Sequence, residues 1–170
     1  MKLDVFLAER KIAVINRWFQ LLTAEYPPET ARFLQREKDR FVNPVGHTIF
    51  QAITGLFEAL LSDKEETAKT ATCLDDFLRI KAIQDFLPSQ AVGGILYLKK
   101  IVEDELAGEI QAAHISPEEI RVFAGRVDRL ALQAFDIYLA CREKLYEIRV
   151  NEVKNRTARL LQKANLLEKV

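Results

Sequence analysis

Few residues of this chain could do chemistry by themselves. It has two histidines, His47 and His114, and two cysteines, Cys73 and Cys141. None belongs to an HxxxH, HExxH or CxxC motif, the spacings that bring metal ligands or redox thiols together. A metal centre would therefore lack nitrogen and sulfur ligands, and the cysteines are best interpreted as reduced packing residues. We expect no metal site and no disulfide.

The sequence also lacks the motifs of other catalytic sites. It contains no glycine-rich phosphate loop, no nucleophile elbow and no Ser/His/Asp grouping. The adjacent acids Asp75 and Asp76 would point in different directions on a helix, so they cannot share a proton as a catalytic pair. We expect the protein not to be an enzyme and to need no cofactor.

Haem is the one cofactor for which a histidine here is a candidate ligand. His47 is the better placed of the two because it begins a strongly apolar helix, where a helical bundle could bind haem. A hydrogen-bonded histidine at a helix start explains the same position. A small-ligand- or haem-binding globin-like protein is therefore our alternative function.

One segment, here called the corner segment, concentrates polar side chains between two apolar runs. It spans residues 79–91 and contains the candidate ligand residues Arg79, Lys81, Gln84, Asp85, Ser89 and Gln90. Asp85 and Ser89 are expected to cap the helix that begins at Pro88. Arg79 and Gln84 are expected either to satisfy backbone carbonyls or to line a small pocket for an anion. The structural use is favoured because helix ends leave backbone groups unpaired.

The elements that position these residues are predicted to be helices. Apolar residues recur at helical spacing, prolines stand where helices begin, and no alternating strand pattern or internal repeat is visible. Helices are predicted over 2–26, 28–36, 44–61, 65–86 and 89–106, with a last one from Ser116 onward. Gly93 and Gly94 inside a helix indicate a close neighbouring backbone, and Gly108 is expected to close that helix. The architecture is predicted to be all-α, a bundle of about six helices.

The end of the chain has no glycine or proline from Arg126 to Val170. This predicts one uninterrupted helix of ~70 Å at 1.5 Å of rise per residue. The preceding residues would fold into a globule with a radius of gyration of only ~14 Å, so the helix must project or pair with another element. We predict a helical domain over residues 1–145 and a C-terminal helical extension over 146–170.

Apolar residues recur in this extension with the seven-residue spacing of a coiled coil. The predicted partner interface consists of Tyr146, Arg149, Val150, Val153, Arg156 and Leu160. In a parallel homodimer Arg149 would lie opposite Lys154, and this repulsion disfavours self-pairing of the extension. The alternative is that the extension packs on its own domain.

The charge of this region indicates which partner it would accept. Residues 142–170 hold eight basic and four acidic side chains, a net charge of +4, although the whole chain is neutral. An acidic helix of another protein fits this surface best. Nucleic acid is not expected, because the basic residues alternate with acidic ones and the isoelectric point is near 6.8.

No stretch of the sequence is apolar for long enough to span a membrane. Asp4 and Glu9 interrupt the apolar residues at the N-terminus, and no small-residue cleavage site follows them. We therefore expect a cytoplasmic protein with no membrane partner.

Several stretches together resemble the N-terminal domain of the RsbT co-antagonist (RsbRD-type) family of bacterial stress-signalling complexes. They are Trp18-Phe19, Tyr26-Pro27-Pro28-Glu29, Phe41 to Gly46, Arg79 to Ala91, Phe135 to Tyr138, Cys141 to Lys144 and Tyr146 to Arg156. Each is modest alone, but their order and their coverage from Leu3 to Arg156 carry the resemblance.

The resemblance implies a sensory or regulatory module. Related domains have a globin-like fold without haem, dimerise, and pass signals through a linker helix into a C-terminal STAS domain. This chain ends at Val170 without such a domain, so we expect it to engage a separate protein. The resemblance thus predicts a cytoplasmic sensory or adaptor domain of stress signalling, homodimeric through its helical domain, that transmits a signal through its C-terminal helix to another signalling protein.

Overall fold

The computed structural model describes residues 2–62 and 68–167. All regular secondary structure in these ranges is helical, which confirms the all-α class and the long C-terminal helix. The helices are α1 Lys2–Glu9, α2 Lys11–Thr23, α3 Pro28–Arg36, α4 Pro44–Leu61, α5 Ala68–Ile83, α6 Pro88–Glu105, α7 Ala107–Gln111 and α8 Pro117–Leu167. The expected start of the fourth predicted helix, at Glu65, lies outside the described residues.

Two errors among the predicted helix boundaries explain why the described residues hold eight helices instead of about six. The first predicted helix is broken at Arg10, whose backbone leaves the helical region at φ −101° and ψ 13°. The Arg10 guanidinium donates hydrogen bonds to the Glu105 carbonyl and, at 3.2 Å, to Glu109 Oε1. Gly108 does not end a helix but lies within α7.

The core is formed where α2, α4, α5, α6 and α8 meet. Trp18, Phe57 and Phe77 are fully buried at its centre. The glycine pair in α6 was predicted to face a close neighbouring backbone; the structure instead places side chains close to it, and only at Gly94. The Trp18 indole donates a 2.7 Å hydrogen bond to the Gly94 carbonyl, and a Cβ at Gly94 would lie 2.4 Å from Leu22 Cδ2.

Helix α8 starts at the predicted N-cap. The Glu119 N–H donates to Ser116 Oγ at 3.2 Å, and Glu119 Oε2 accepts the Ser116 N–H at 3.0 Å, which forms a capping box. Glu119 Oε1 also accepts the Leu3 N–H at 3.3 Å, so the first residues of the chain are joined to the start of α8.

Burial along α8 changes abruptly after its first half. Tyr138 is only 2% exposed and Leu145 is half-buried, whereas every side chain from Tyr146 to Asn165 is exposed. The helix is 51 residues long, or ~76 Å at 1.5 Å per residue. Its C-terminal part therefore extends beyond the core. Within the described residues, no helix is long and apolar enough to cross a bilayer.

Candidate functional site at the helix corner and the C-terminal helix

The corner segment turns the chain from α5 into α6 by a Schellman motif. The Phe86 N–H donates to the Lys81 carbonyl at 3.1 Å, and the Asp85 N–H donates to the Ala82 carbonyl at 3.2 Å. Asp85 adopts the left-handed conformation that this motif requires, with φ 57°. Aspartate tolerates that conformation better than most residues, which explains how this turn forms without glycine.

The predicted caps of α6 were wrong. Leu87 occupies the N-cap position, and Gln90 Oε1 accepts its N–H at 2.9 Å. Gln90 thus accepts the hydrogen bond of a backbone N–H at the start of this helix. Ser89 is exposed, and the Asp85 side chain does not bind the start of α6.

Asp85 instead binds two arginines of α8. Arg142 Nη1 donates to Asp85 Oδ1 at 2.6 Å and also to the Ala82 carbonyl at 3.1 Å. Arg149 Nη2 lies 3.6 Å from Asp85 Oδ2, and the Tyr138 hydroxyl donates to the Phe86 carbonyl. These contacts, here called the corner clamp, fasten the base of the exposed part of α8 to the end of α5.

The arginines of the clamp favour the charged form of Asp85. The hydrogen bond from Arg142 lowers the pKa of the Asp85 carboxyl, and the charge of Arg149 contributes to the same effect. In return, the bond to Asp85 raises the pKa of the Arg142 guanidinium. The Arg142 guanidinium also donates to the Tyr146 hydroxyl at 2.8 Å, so the clamp reaches the first residue of the predicted interface.

Lys81 lies in the core rather than on a ligand-binding surface. Its side chain is fully buried, and its ammonium lies 2.8 Å from Glu25 Oε2 and 3.9 Å from the centre of the Phe86 ring. The Tyr97 hydroxyl donates to the other oxygen of Glu25 at 3.0 Å. Burial lowers the pKa of Lys81, while the ion pair with Glu25 opposes this shift. Lys81 therefore joins α5 to the turn that follows α2 through a largely buried ion pair.

Gln84 joins the same structural cluster. Its side-chain oxygen accepts a 2.6 Å hydrogen bond from the Tyr26 hydroxyl. Burial, with a contribution from Glu25, raises the pKa of that hydroxyl to about 12. Arg79 does not join it, because it pairs with Asp75 one turn earlier on the exposed side of α5. The six predicted corner residues therefore do not form one pocket.

A groove between α5 and α8 was not predicted from the sequence. It has a volume of about 400 Å³. Its apolar lining consists of Ile83, Ile137, Ala140, Leu145 and Ile148, and its polar lining of Asp75, Arg79, Cys141 and Lys144. The Cys141 thiol lies 3.8 Å from Asp75 Oδ1, and its pKa is raised, mainly by burial. Ile83 and Ile148 in its lining are exposed although both are large apolar residues.

Apolar side chains form an exposed stripe along the other side of α8. The stripe consists of Leu132, Phe135, Leu139, Tyr146, Val150, Val153 and Leu160. Val153 is 65% and Leu160 is 61% exposed, although both are large apolar residues. The stripe contains the apolar residues of the predicted partner interface and continues onto the buried half of the helix. Arg156 is exposed beside it, and Arg149 is engaged by Asp85.

The histidines lie apart from these features. His47 is half-buried in the first turn of α4, where its backbone N–H donates to the Asn43 carbonyl at 3.1 Å. His114 Nδ1 lies 2.8 Å from Glu109 Oε2 on the surface. Among the described residues, no group of three or more His, Cys, Asp or Glu side chains could hold a metal ion.

Residues 13–153 match the family model of the RsbT co-antagonist protein rsbRD N-terminal domain. The chain belongs to this family. The matched region of the RsbRD N-terminal domain contains the corner clamp and ends within the exposed stripe, about two turns beyond the last half-buried residue, Leu145. The family resemblance noted in the sequence is thus confirmed.

One relative covers most of this RsbRD N-terminal domain. It is an uncharacterized protein of Archaeoglobus fulgidus, 25% identical over 144 residues, which are 82% of this chain and 82% of the relative. No solved structure matches the chain.

Proposed function

We propose that this RsbRD N-terminal domain is a cytoplasmic sensory or adaptor domain of stress-type signalling, which transmits a signal or partner binding through α8. The observation that carries the proposal is the continuity of α8. The same helix packs in the core up to Leu145, is fastened by the corner clamp, and presents an exposed apolar stripe beyond it. A change in core packing can thus reach the stripe without an intervening hinge.

The mechanism is a small shift between discrete packing arrangements of α5 and α8. Packed helices move by steps of about 1–2 Å because their side chains interdigitate. The clamp connects such a step to the projecting helix, since Arg142 binds both the Ala82 carbonyl and the Asp85 side chain. A ligand or partner that prefers one arrangement would shift the population toward it.

We propose that the exposed stripe is the surface that binds the partner protein and so transmits the signal to it. Large apolar side chains such as Val153 and Leu160 favour a partner helix over permanent contact with water. The net charge of +4 over residues 142–170 favours an acidic helix of another signalling protein. The N-terminal part of the stripe is the surface for the proposed homodimer, and it consists of Leu132, Phe135 and Leu139. The helical domain itself would have a globin-like fold, as related domains do.

The test compares two double variants with the same charge change and the same seven-residue spacing. Val153→Asp with Leu160→Asp places two carboxylates in the stripe. Asn155→Asp with Gln162→Asp places two carboxylates about 200° around the helix, since each residue advances 100°. Both pairs are exposed, so both variants should keep the circular dichroism of the wild type.

Only the stripe variant should lose partner capture from the native cytoplasm and binding to the purified, identified partner. Equal capture by the two variants would exclude the stripe as the interface. Unfolding of the stripe variant alone would mean that the extension packs back on the domain. Sedimentation of Leu132→Asp tests the homodimer separately, because loss of a wild-type dimer is expected there.

A further inference from the structure

The groove between α5 and α8 has the properties of a small-molecule site. Its volume of about 400 Å³ lies within the range of roughly 300–1,000 Å³ that is typical of ligand pockets. Apolar side chains dominate its lining, and a few polar groups lie among them. Such a combination binds an apolar body by burial and orients it by one charged or polar group.

The polar groups of the groove carry a net positive charge. Asp75 is already paired with the Arg79 guanidinium and accepts a hydrogen bond from the Cys141 thiol. Lys144 forms no ion pair with any residue in the described parts of the chain, and its charge opposes the rise that burial causes in the pKa of the neighbouring Cys141 thiol. Two cations and one occupied carboxylate thus leave a positive charge that an anionic group would complement.

The groove opens on a different side of α8 from the exposed stripe. Ile137, Cys141, Lys144 and Ile148 recur at helical spacing on one face. At 100° per residue, Lys144 lies about 160° around the helix from Tyr146 of the stripe, since two residues advance 200°. A helix that binds the stripe would therefore leave the groove open. The basic extension of a second copy would also be repelled by Lys144 and Arg79.

We propose that this groove binds an amphiphilic monocarboxylate with an apolar body of about ten carbons, which suits the ~16 Å that α8 spans between Ile137 and Ile148. The carboxylate lies against the Lys144 ammonium and the Arg79 guanidinium. The apolar body lies against Ile83, Leu145 and Ile148. The walls of the groove are α5 and α8, the two helices that the corner clamp joins. A bound ligand would therefore favour one packing arrangement of α5 on α8.

The test is isothermal titration of the full chain with decanoate, below its micellar concentration, beside decan-1-ol and decylamine. Decanoate should bind with saturation, and the two other head groups should bind at least about fivefold more weakly, as expected for a partly exposed charge pair. Lys144→Gln should weaken decanoate binding by a similar factor. Lys154→Gln, an exposed lysine beyond the groove on the same helix, is the matched control and should change nothing.

Two further measurements locate the site. Ala140→Trp should fill the groove and abolish decanoate binding, and Ile83→Glu should do the same by repelling the ligand; both positions are exposed, so the fold should persist. Bound decanoate should also slow alkylation of Cys141 by iodoacetamide, while Cys73 serves as the internal reference.

The proposal is overturned if decanoate shows no saturable binding, if decan-1-ol binds equally well, or if binding survives in both groove variants. Self-association that Ala140→Trp abolishes, with no decanoate binding, would assign the groove to a second copy. A partner helix that occupies the groove without decanoate binding would overturn the proposal as well. The role of the ligand as a signal rests on the proposed function, but titration measures binding alone, so either can fail without the other.

Discussion

Asp85 shows how one residue serves both the backbone and the tertiary structure. Its left-handed conformation ends α5, and its carboxylate holds two arginines of α8. Local sequence predicted a cap at Asp85 but could not predict the arginines, because Arg142 is 57 residues away along the chain. A carboxylate next to a helix start is readily interpreted as a helix cap, so the sequence gives no reason to look for a distant ion-pair partner.

The clamp makes stability depend on pH through Asp85. Arg142 and Arg149 lower the folded-state pKa of Asp85 below its unfolded value of about 3.9. The carboxylate therefore stabilises the fold at pH values above about 4, and this contribution is lost as the pH falls through the folded-state pKa. Asp85→Asn should lower the Tm at pH 7, and the difference from the wild type should shrink toward zero near pH 2.

Melting curves of the two proteins across this pH range provide the measurement. Asp76→Asn removes an exposed carboxylate from α5, the helix that ends just before Asp85, and serves as the control, with little change expected at pH 7. A Tm difference for Asp85→Asn that stays constant between pH 7 and pH 2 would contradict the ionic role of the clamp.

Gln90 and Ser89 make a matched pair at the start of α6. Gln90→Ala removes the acceptor of the Leu87 N–H and should cost about 0.5–1 kcal/mol of stability, as other helix caps do. Ser89→Ala changes an exposed residue and should stay within about 0.5 kcal/mol of the wild type. Urea unfolding measures both. A larger loss for Ser89→Ala than for Gln90→Ala would restore the cap expected from the sequence.

At the scale of elements, prolines and apolar spacing predicted α3, α4 and the start of α8 correctly. Those boundaries follow from local chemistry, as the capping box at Ser116 shows. The break at Arg10 was not predictable, because its guanidinium binds Glu105 and Glu109, almost 100 residues later. The groove was missed for a similar reason: its walls come from two helices whose crossing has no sequence motif.

The glycine pair of α6 provides a second matched test. A Cβ at Gly93 would meet no atom within 4 Å, so Gly93→Ala should stabilise the helix by about 0.5–1 kcal/mol. A Cβ at Gly94 would lie 2.4 Å from Leu22, which is fully buried, so Gly94→Ala should cost about 1–3 kcal/mol. The Tm and the urea midpoint should both rise for Gly93→Ala and both fall for Gly94→Ala. Equal effects would contradict the packing of α2 on α6.

At the scale of the whole molecule, side chains fill the centre of the helical core, and this argues against the haem alternative. Trp18, Phe57 and Phe77 fill the centre of the helical core, and His47 lies at one end of α4. We predict that purified protein mixed with haem shows no stoichiometric Soret band, by absorption spectroscopy. A Soret complex that His47→Ala abolishes would instead favour the haem-binding function.

The first helix of the chain depends on residues that are synthesised much later. Leu3 and Leu7 of α1 are fully buried, and the Leu3 N–H and the Asp4 carboxylate bind Glu119 and Arg126 of α8. A nascent chain on the ribosome therefore cannot complete its N-terminal packing until more than 120 residues have emerged. The buried apolar residues of α1 thus wait for their last native contacts until the start of α8 has emerged, and chaperones can bind them during that time.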